Sequence, residues 1–204
     1  MTKLLNAHVN ELHPDRKAPA MTTATTLLSA GTWTGDAVHS DVAIRVRHMA
    51  VGKVKGTFEL ASAELVVPES GIAGASVTAV IDATSVNTKN ADRDAHVKSG
   101  DFLDTETYPT ISFTSTGVED FDGEEFKLVG DLTLHGVTKP VVLDVEFAGE
   151  TVDAYGATRS GFTAKTTINR NEFGVTIDLA WGAGNKVVGD KIEISLELEF
   201  TKNA

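Results

Sequence analysis

Arg93 and His96 are the residues of this chain whose types and spacing come nearest to a chemical group. They lie within Asn90-Ala91-Asp92-Arg93-Asp94-Ala95-His96-Val97-Lys98-Ser99-Gly100, a segment with helix punctuation. Asn90 suits the N-cap, Asp92 and Asp94 the first turn, and Gly100 the position just past the end. Residues three apart on a helix share a face, whereas Lys98 is rotated about 140° from Arg93. Arg93 and His96 can therefore act together on one group. Lys98 is expected to neutralise Asp94, an i,i+4 pair with the acid first. A structural alternative pairs Arg93 with an acid such as Asp101, so that it only anchors the helix.

Other constellations fail on geometry. Gly182-Ala183-Gly184-Asn185-Lys186-Val187-Val188-Gly189-Asp190-Lys191 resembles a phosphate loop, but its third glycine is misplaced and Asp190 stands where lysine is needed. A strand, not a helix, follows it, so a glycine-rich turn is expected. His39 and His48 flank one strand and lie about 30 Å apart at about 3.4 Å per residue, too far to share an ion. There is no HxH or HExxH pair, and neither metal nor cofactor is expected. His39, Ser40 and Asp41 supply the residue types of a triad, but strand neighbours face opposite sides and no GxSxG elbow exists. With no cysteine, thiol catalysis, disulfides and cysteine-held metals are excluded.

The elements that must position these groups read as strands. Ile192, Ile194, Leu196, Leu198 and Phe200 fill one face of the last, with Lys191, Glu193, Ser195, Glu197 and Glu199 opposite. The same alternation runs through Val42-Ile44-Val46, Val77-Ala79-Ile81, Phe126-Leu128, Val141-Leu143-Val145-Phe147 and Phe162-Ala164-Thr166-Ile168. Between Phe58-Leu60 and Ala63-Leu65-Val67 the apolar phase flips, which predicts a bulge near Ala61 and Ser62. Strands are expected near 40–49, 53–67, 75–84, 109–118, 125–135, 141–148, 158–168 and 190–201. Asp122-Gly123 and the loop His135–Pro140 close two hairpins. Eight antiparallel strands with one apolar face must close as a barrel or pack as a sandwich. The fold class is thus all-β, with one short helix in a long connection.

The 204 residues carry 18 Lys and Arg against 29 Asp and Glu, a net charge of −11. That balance argues against nucleic acid and against a polybasic membrane contact. No run of 18 apolar residues exists, so no stable membrane insertion is expected. Residues 1–30 read as a flexible tail without an export signal, with Met21 as a second start and the cytoplasm as the expected compartment. Residues 31–204 form the domain, and a homodimer is allowed.

Nine phenylalanines against two tryptophans and two tyrosines make the inner face oily. A barrel of eight strands is just wide enough to be filled by side chains or to hold one small ligand. Resemblance adds to this. Trp33-Thr34-Gly35-Asp36-Ala37-Val38-His39-Ser40 with Val46-Arg47-His48-Met49, then Arg93–Asp104 with Tyr108-Pro109, resemble blocks of the YceI family of polyisoprenoid-binding, lipocalin-like proteins. Gly130-Asp131-Leu132-Thr133 with Gly136–Pro140, Ile168-Asn169-Arg170 with Phe173-Gly174, and Val188-Gly189-Asp190 follow in the expected order, so the likeness spans about 32–202. Gly100 departs from the usual alanine, and many relatives are periplasmic.

The resemblance implies an eight-stranded antiparallel barrel around an apolar cavity for a long isoprenoid or quinone-like lipid, bound without catalysis. Strand phase, independently, assigns the tail lining to Phe58, Phe113, Phe126, Leu128, Val145, Phe147, Phe162, Ile168, Leu196 and Leu198. Arg93 and His96 are expected at the head group, with Phe102 covering the mouth. The rival reading is a small-barrel enzyme acting on such a lipid with His96 as general base.

Overall fold

The computed structural model describes residues 28–181 and 185–204. The expected tail through residue 27, with Met21, and the expected glycine turn at 182–184 lie outside them. The strands are β1 (Gly31–Gly35), β2 (Asp41–His48), β3 (Gly52–Val67) and β4 (Ser76–Asn87), followed by helix α1 (Ala91–Lys98). Then come β5 (Thr110–Glu119), β6 (Glu125–Leu134), β7 (Val137–Val152), β8 (Thr158–Asn169), the short β9 (Ala180–Trp181) and β10 (Asn185–Lys186), and β11 (Val188–Lys202).

All pairings are antiparallel, and β11 closes the sheet by pairing with β8 on one side and β2 on the other. β1 and β2 share a single position: both lie between β3 and β11, β2 on one half of their length and β1 on the other. The result is a closed barrel of eight strand positions, with β9 and β10 as a separate ladder. Strand alternation starts the first strand near residue 40 and passes over β1, where only the family likeness puts a first-strand motif at Trp33–Ser40. Between its two glycines only Trp33 is large, apolar and fully buried, too little to set a period. The bulge expected near Ala61 is present, since β3 shifts register against β4 between Leu60 and Ser62.

The β6–β7 connection is tighter than the expected loop over 135–140. Only His135 and Gly136 turn, both at positive φ (51° and 72°), as a two-residue type I′ hairpin requires. Val137 already belongs to β7, and Pro140 lies within it opposite Asp131. Tyr108 packs where a Cβ on Gly136 would stand, and its ring meets His135 at 4.8 Å. Gly130 is needed for a similar reason: the Phe113 ring lies over its Cα, and a Cβ would come 2.4 Å from that ring.

One end of the barrel is shut. Leu28 and Ile72 are buried there with Phe126 and Phe200. The Ser29 amide and hydroxyl both donate to the Glu150 carboxylate at 2.7 Å, and Trp33 Nε1 donates to Ser29 O. The expected tail over 1–30 is therefore corrected at its end: residues 28–30 already belong to the barrel.

An ion-pair clamp ties β1, β2 and the last strands together at this end. Arg159 donates to Asp36 at 2.8 Å, to Asp153 at 2.6 Å and to Glu199, while His39 Nδ1 lies 2.9 Å from Asp36. The Arg159 guanidinium, then His39, hold the Asp36 carboxyl well below the usual carboxylate range, and the hydrogen bond from Arg159 also lowers the pKa of Asp153. A carboxyl depressed in the folded state stabilises above its unfolded pKa and loses that contribution as pH falls through the folded value. The wild-type protein is therefore expected to lose stability steadily below about pH 4. Arg159→Gln should melt earlier at neutral pH and show a flatter acid limb, read from melting temperature against pH.

Candidate functional site

The barrel encloses an apolar cavity of about 390 Å³, within the range of small-molecule sites. Its wall comes from inward positions of every long strand, because a period of two puts each second side chain on the same face. Phe58, Phe113, Phe126, Leu128, Val145, Phe162, Ile168, Leu196 and Leu198 all line it, and Arg93, His96 and Phe102 stand at one end. Several inward side chains, including Phe58, Leu128, Ile192, Ile194, Leu196 and Leu198, are only partly buried. Their phase points them inside, so their exposed area faces the cavity. A packed core would have covered it.

Phe147 is the exception among the expected lining residues. It is inward and buried, but it does not touch the cavity; its ring packs on Phe162 at 5.2 Å, and Phe162 packs on Phe200 at 5.8 Å. Strand phase reports inside against outside and says nothing of depth along the barrel axis. β7 runs past the shut end, and Phe147 plugs it there.

The mouth is the opposite, polar end. Arg47, His48, Thr88, Arg93, His96 and Arg170 all contribute to the lining there, beside Val97, Phe102 and Leu103. Helix α1 covers this end. Asn90 Oδ1 caps it by accepting from Arg93 N at 2.9 Å, as the sequence predicts. The expected Asp94–Lys98 pair does not form. Asp94 instead accepts from the Thr88 amide (2.8 Å) and hydroxyl (2.6 Å), and these bonds lower its pKa, with only a longer-range contribution from Lys98.

Arg93 and His96 do share the cavity-facing side, but each is engaged. Arg93 donates through Nε to Thr88 Oγ1 and through Nη2 to Thr88 O, both at 2.7 Å. It thus meets Thr88, while Asp101 is taken by His96 Nε2 at 3.0 Å. The ring of His96 stands edge-on to Phe102 at 5.0 Å. Arg93 therefore staples α1 to the end of β4, and Phe102 and His96 form one rim unit. Arg47 and His48 were missed as rim residues because alternation reads Arg47 as facing solvent; the end of β2 reaches the mouth, where outward and inward meet. Arg170 was missed for another reason: it lies on a 3-10 turn (Arg170–Phe173) outside any strand period.

A family model described as YceI-like domain matches residues 33–200. Protein YceI of Escherichia coli O157:H7 is 40% identical over 141 residues, covering 69% of this chain and 73% of its own. The crystal structure of the Campylobacter jejuni YCEI protein, 29% identical, covers 78% of this chain and 90% of its own with a TM-score of 0.64. A polyisoprenoid binding domain from Saccharophagus degradans, 16% identical, covers 84% and 98% with a TM-score of 0.61, a likeness of fold.

Proposed function

The chain belongs to the YceI-like domain family, and on that premise we propose that its barrel binds the tail of a long isoprenoid or quinone-like lipid and releases it chemically unchanged. The observation that carries this reading is the apolar cavity itself, whose inward side chains are left uncovered along the strands. The description of the Saccharophagus degradans domain agrees with it at the level of fold. Each methylene buried in such a cavity contributes about 0.8 kcal/mol, so a few isoprene units give ample affinity without one hydrogen bond to the tail. The polar head stays at the mouth beside Arg93, His96 and Phe102. Carriage, storage and stress-related sensing all use this binding step.

The test is incubation of delipidated protein with a prenyl quinone, followed by solvent extraction. Recovery of the quinone unchanged, at stoichiometry with protein, is the expected result; a converted product would establish the enzymatic alternative with His96 as base. The head-group assignment has its own test. Replacing Arg93 and His96 together by alanine is expected to weaken a prenyl diphosphate by about 2–4 kcal/mol, the loss of one or two charge-assisted hydrogen bonds. A neutral quinone of equal tail should lose far less. Equal loss for both ligands with a lowered melting temperature would assign the pair to anchoring α1.

A further inference from the structure

The net charge of −11 conceals a local inversion. From Val42 to Phe58 the chain contains no Asp or Glu, yet it holds Arg45, Arg47, Lys53 and Lys55. These residues form the β2–β3 hairpin, whose register sets Arg45 opposite Lys55 and Arg47 opposite Lys53. All four are exposed. Like charges directly opposite in a sheet are destabilising, and here two such pairs are stacked on consecutive outward rungs. The only acid facing them from the adjoining strand β11 is Glu193, opposite Arg45 and bonded to Lys53 at 2.5 Å. Among the described residues, Arg45, Arg47 and Lys55 form no ion pair, Arg47 donating instead to Ala50 O within the turn.

The tip adds a second feature. Met49 and Ala50 turn at positive φ, and Val51 beyond them is 90% exposed. An uncovered apolar tip beside four exposed cations, three of them outside any ion pair among the described residues, matches the surface of an anionic bilayer, where each cation near the surface contributes and the apolar tip enters the headgroup region. Position supplies the third argument. The inner side of this hairpin, at Val46, His48 and Val54, lines the cavity at its mouth end.

We propose that the β2–β3 hairpin docks the barrel, mouth first, on an anionic phospholipid surface, where a lipid tail passes between bilayer and cavity. The purpose of the docking rests on the lipid-binding reading, but the docking itself does not. The shut end, with Glu119, Asp120, Asp122, Glu124 and Glu125 around the β5–β6 turn, is repelled by the same surface and sets the orientation. A nucleic acid would answer the cations but not the apolar tip.

The test is flotation of delipidated protein with vesicles of phosphatidylcholine alone or with phosphatidylglycerol added. Partition into the anionic vesicles is expected, lost at high salt as surface charge is screened. The double change Arg45→Gln with Lys55→Gln touches no cavity residue and should lower the partition coefficient about thirtyfold, roughly fivefold per cation. Lys127→Gln with Lys202→Gln, the same change in net charge away from the hairpin, should leave it unaltered, and Val51→Asp should reduce it. Equal partition of both double variants, or no preference for anionic vesicles, overturns the proposal; retention on single-stranded RNA with no vesicle binding would do so too and assign the patch to nucleic acid. Quinone retention in solution is scored separately for each variant, so a failed cavity and a failed docking surface give different results.

Discussion

Thr166→Trp is expected to weaken binding of a prenyl quinone by more than about a hundredfold while leaving the melting temperature unchanged or higher. Thr166 is inward on β8, opposite Ile194 of β11, and lines the cavity without being fully buried. An indole there takes space that about four methylenes of the ligand would occupy, a loss of about 3 kcal/mol. The folded protein gains what the ligand loses, because filling an apolar void stabilises. Binding measured by fluorescence quenching, beside a thermal melt, separates the two. A variant that binds as tightly as wild type would mean the tail lies elsewhere.

Arg170→Ala should lower the melting temperature by about 10 °C, the largest effect expected from a single truncation. The Arg170 side chain is 4% exposed and donates to Val175 O at 2.7 Å, Gly189 O at 3.1 Å and the Asp190 carboxylate at 3.2 Å. Truncation strands these acceptors. Loss of one partner from such a buried arrangement costs about 3 kcal/mol, and each kcal/mol shifts the melting temperature about 2–4 °C at this size. Arg170 also lines the mouth, so quinone dissociation should quicken as the segment after β8 loosens. A melting temperature within a degree or two of wild type would remove Arg170 from this role.

This residue also explains what was legible in the sequence. Ile168-Asn169-Arg170 and Val188-Gly189-Asp190 are separate runs in the chain, and the guanidinium joins them. Gly130 and Gly136 likewise stand where Phe113 and Tyr108 require an absent Cβ. The antiparallel strands were readable because one face of nearly every strand is apolar at a period of two, which left barrel and sandwich both open until the family likeness chose the barrel, and β3 announces its own bulge by a phase flip. β1 was readable only through the family likeness at Trp33–Ser40, since one tryptophan sets no period. The cavity wall was readable for the same reason as the strands, except at Phe147, where depth along the axis decides and phase is silent. The mouth was the least readable part. The partners of Arg93, Asp94 and His96 depend on how the α1 segment folds back over β4, and Thr88 and Asp101 carry no spacing signal for it.

The central claim is that one lipid tail occupies the interior of the barrel. Native mass spectrometry of delipidated protein incubated with a long-chain prenyl quinone tests it most directly. The account predicts a one-to-one adduct for the wild type that is absent for Thr166→Trp. No adduct with the wild type, or adducts of equal abundance in both proteins, would contradict it.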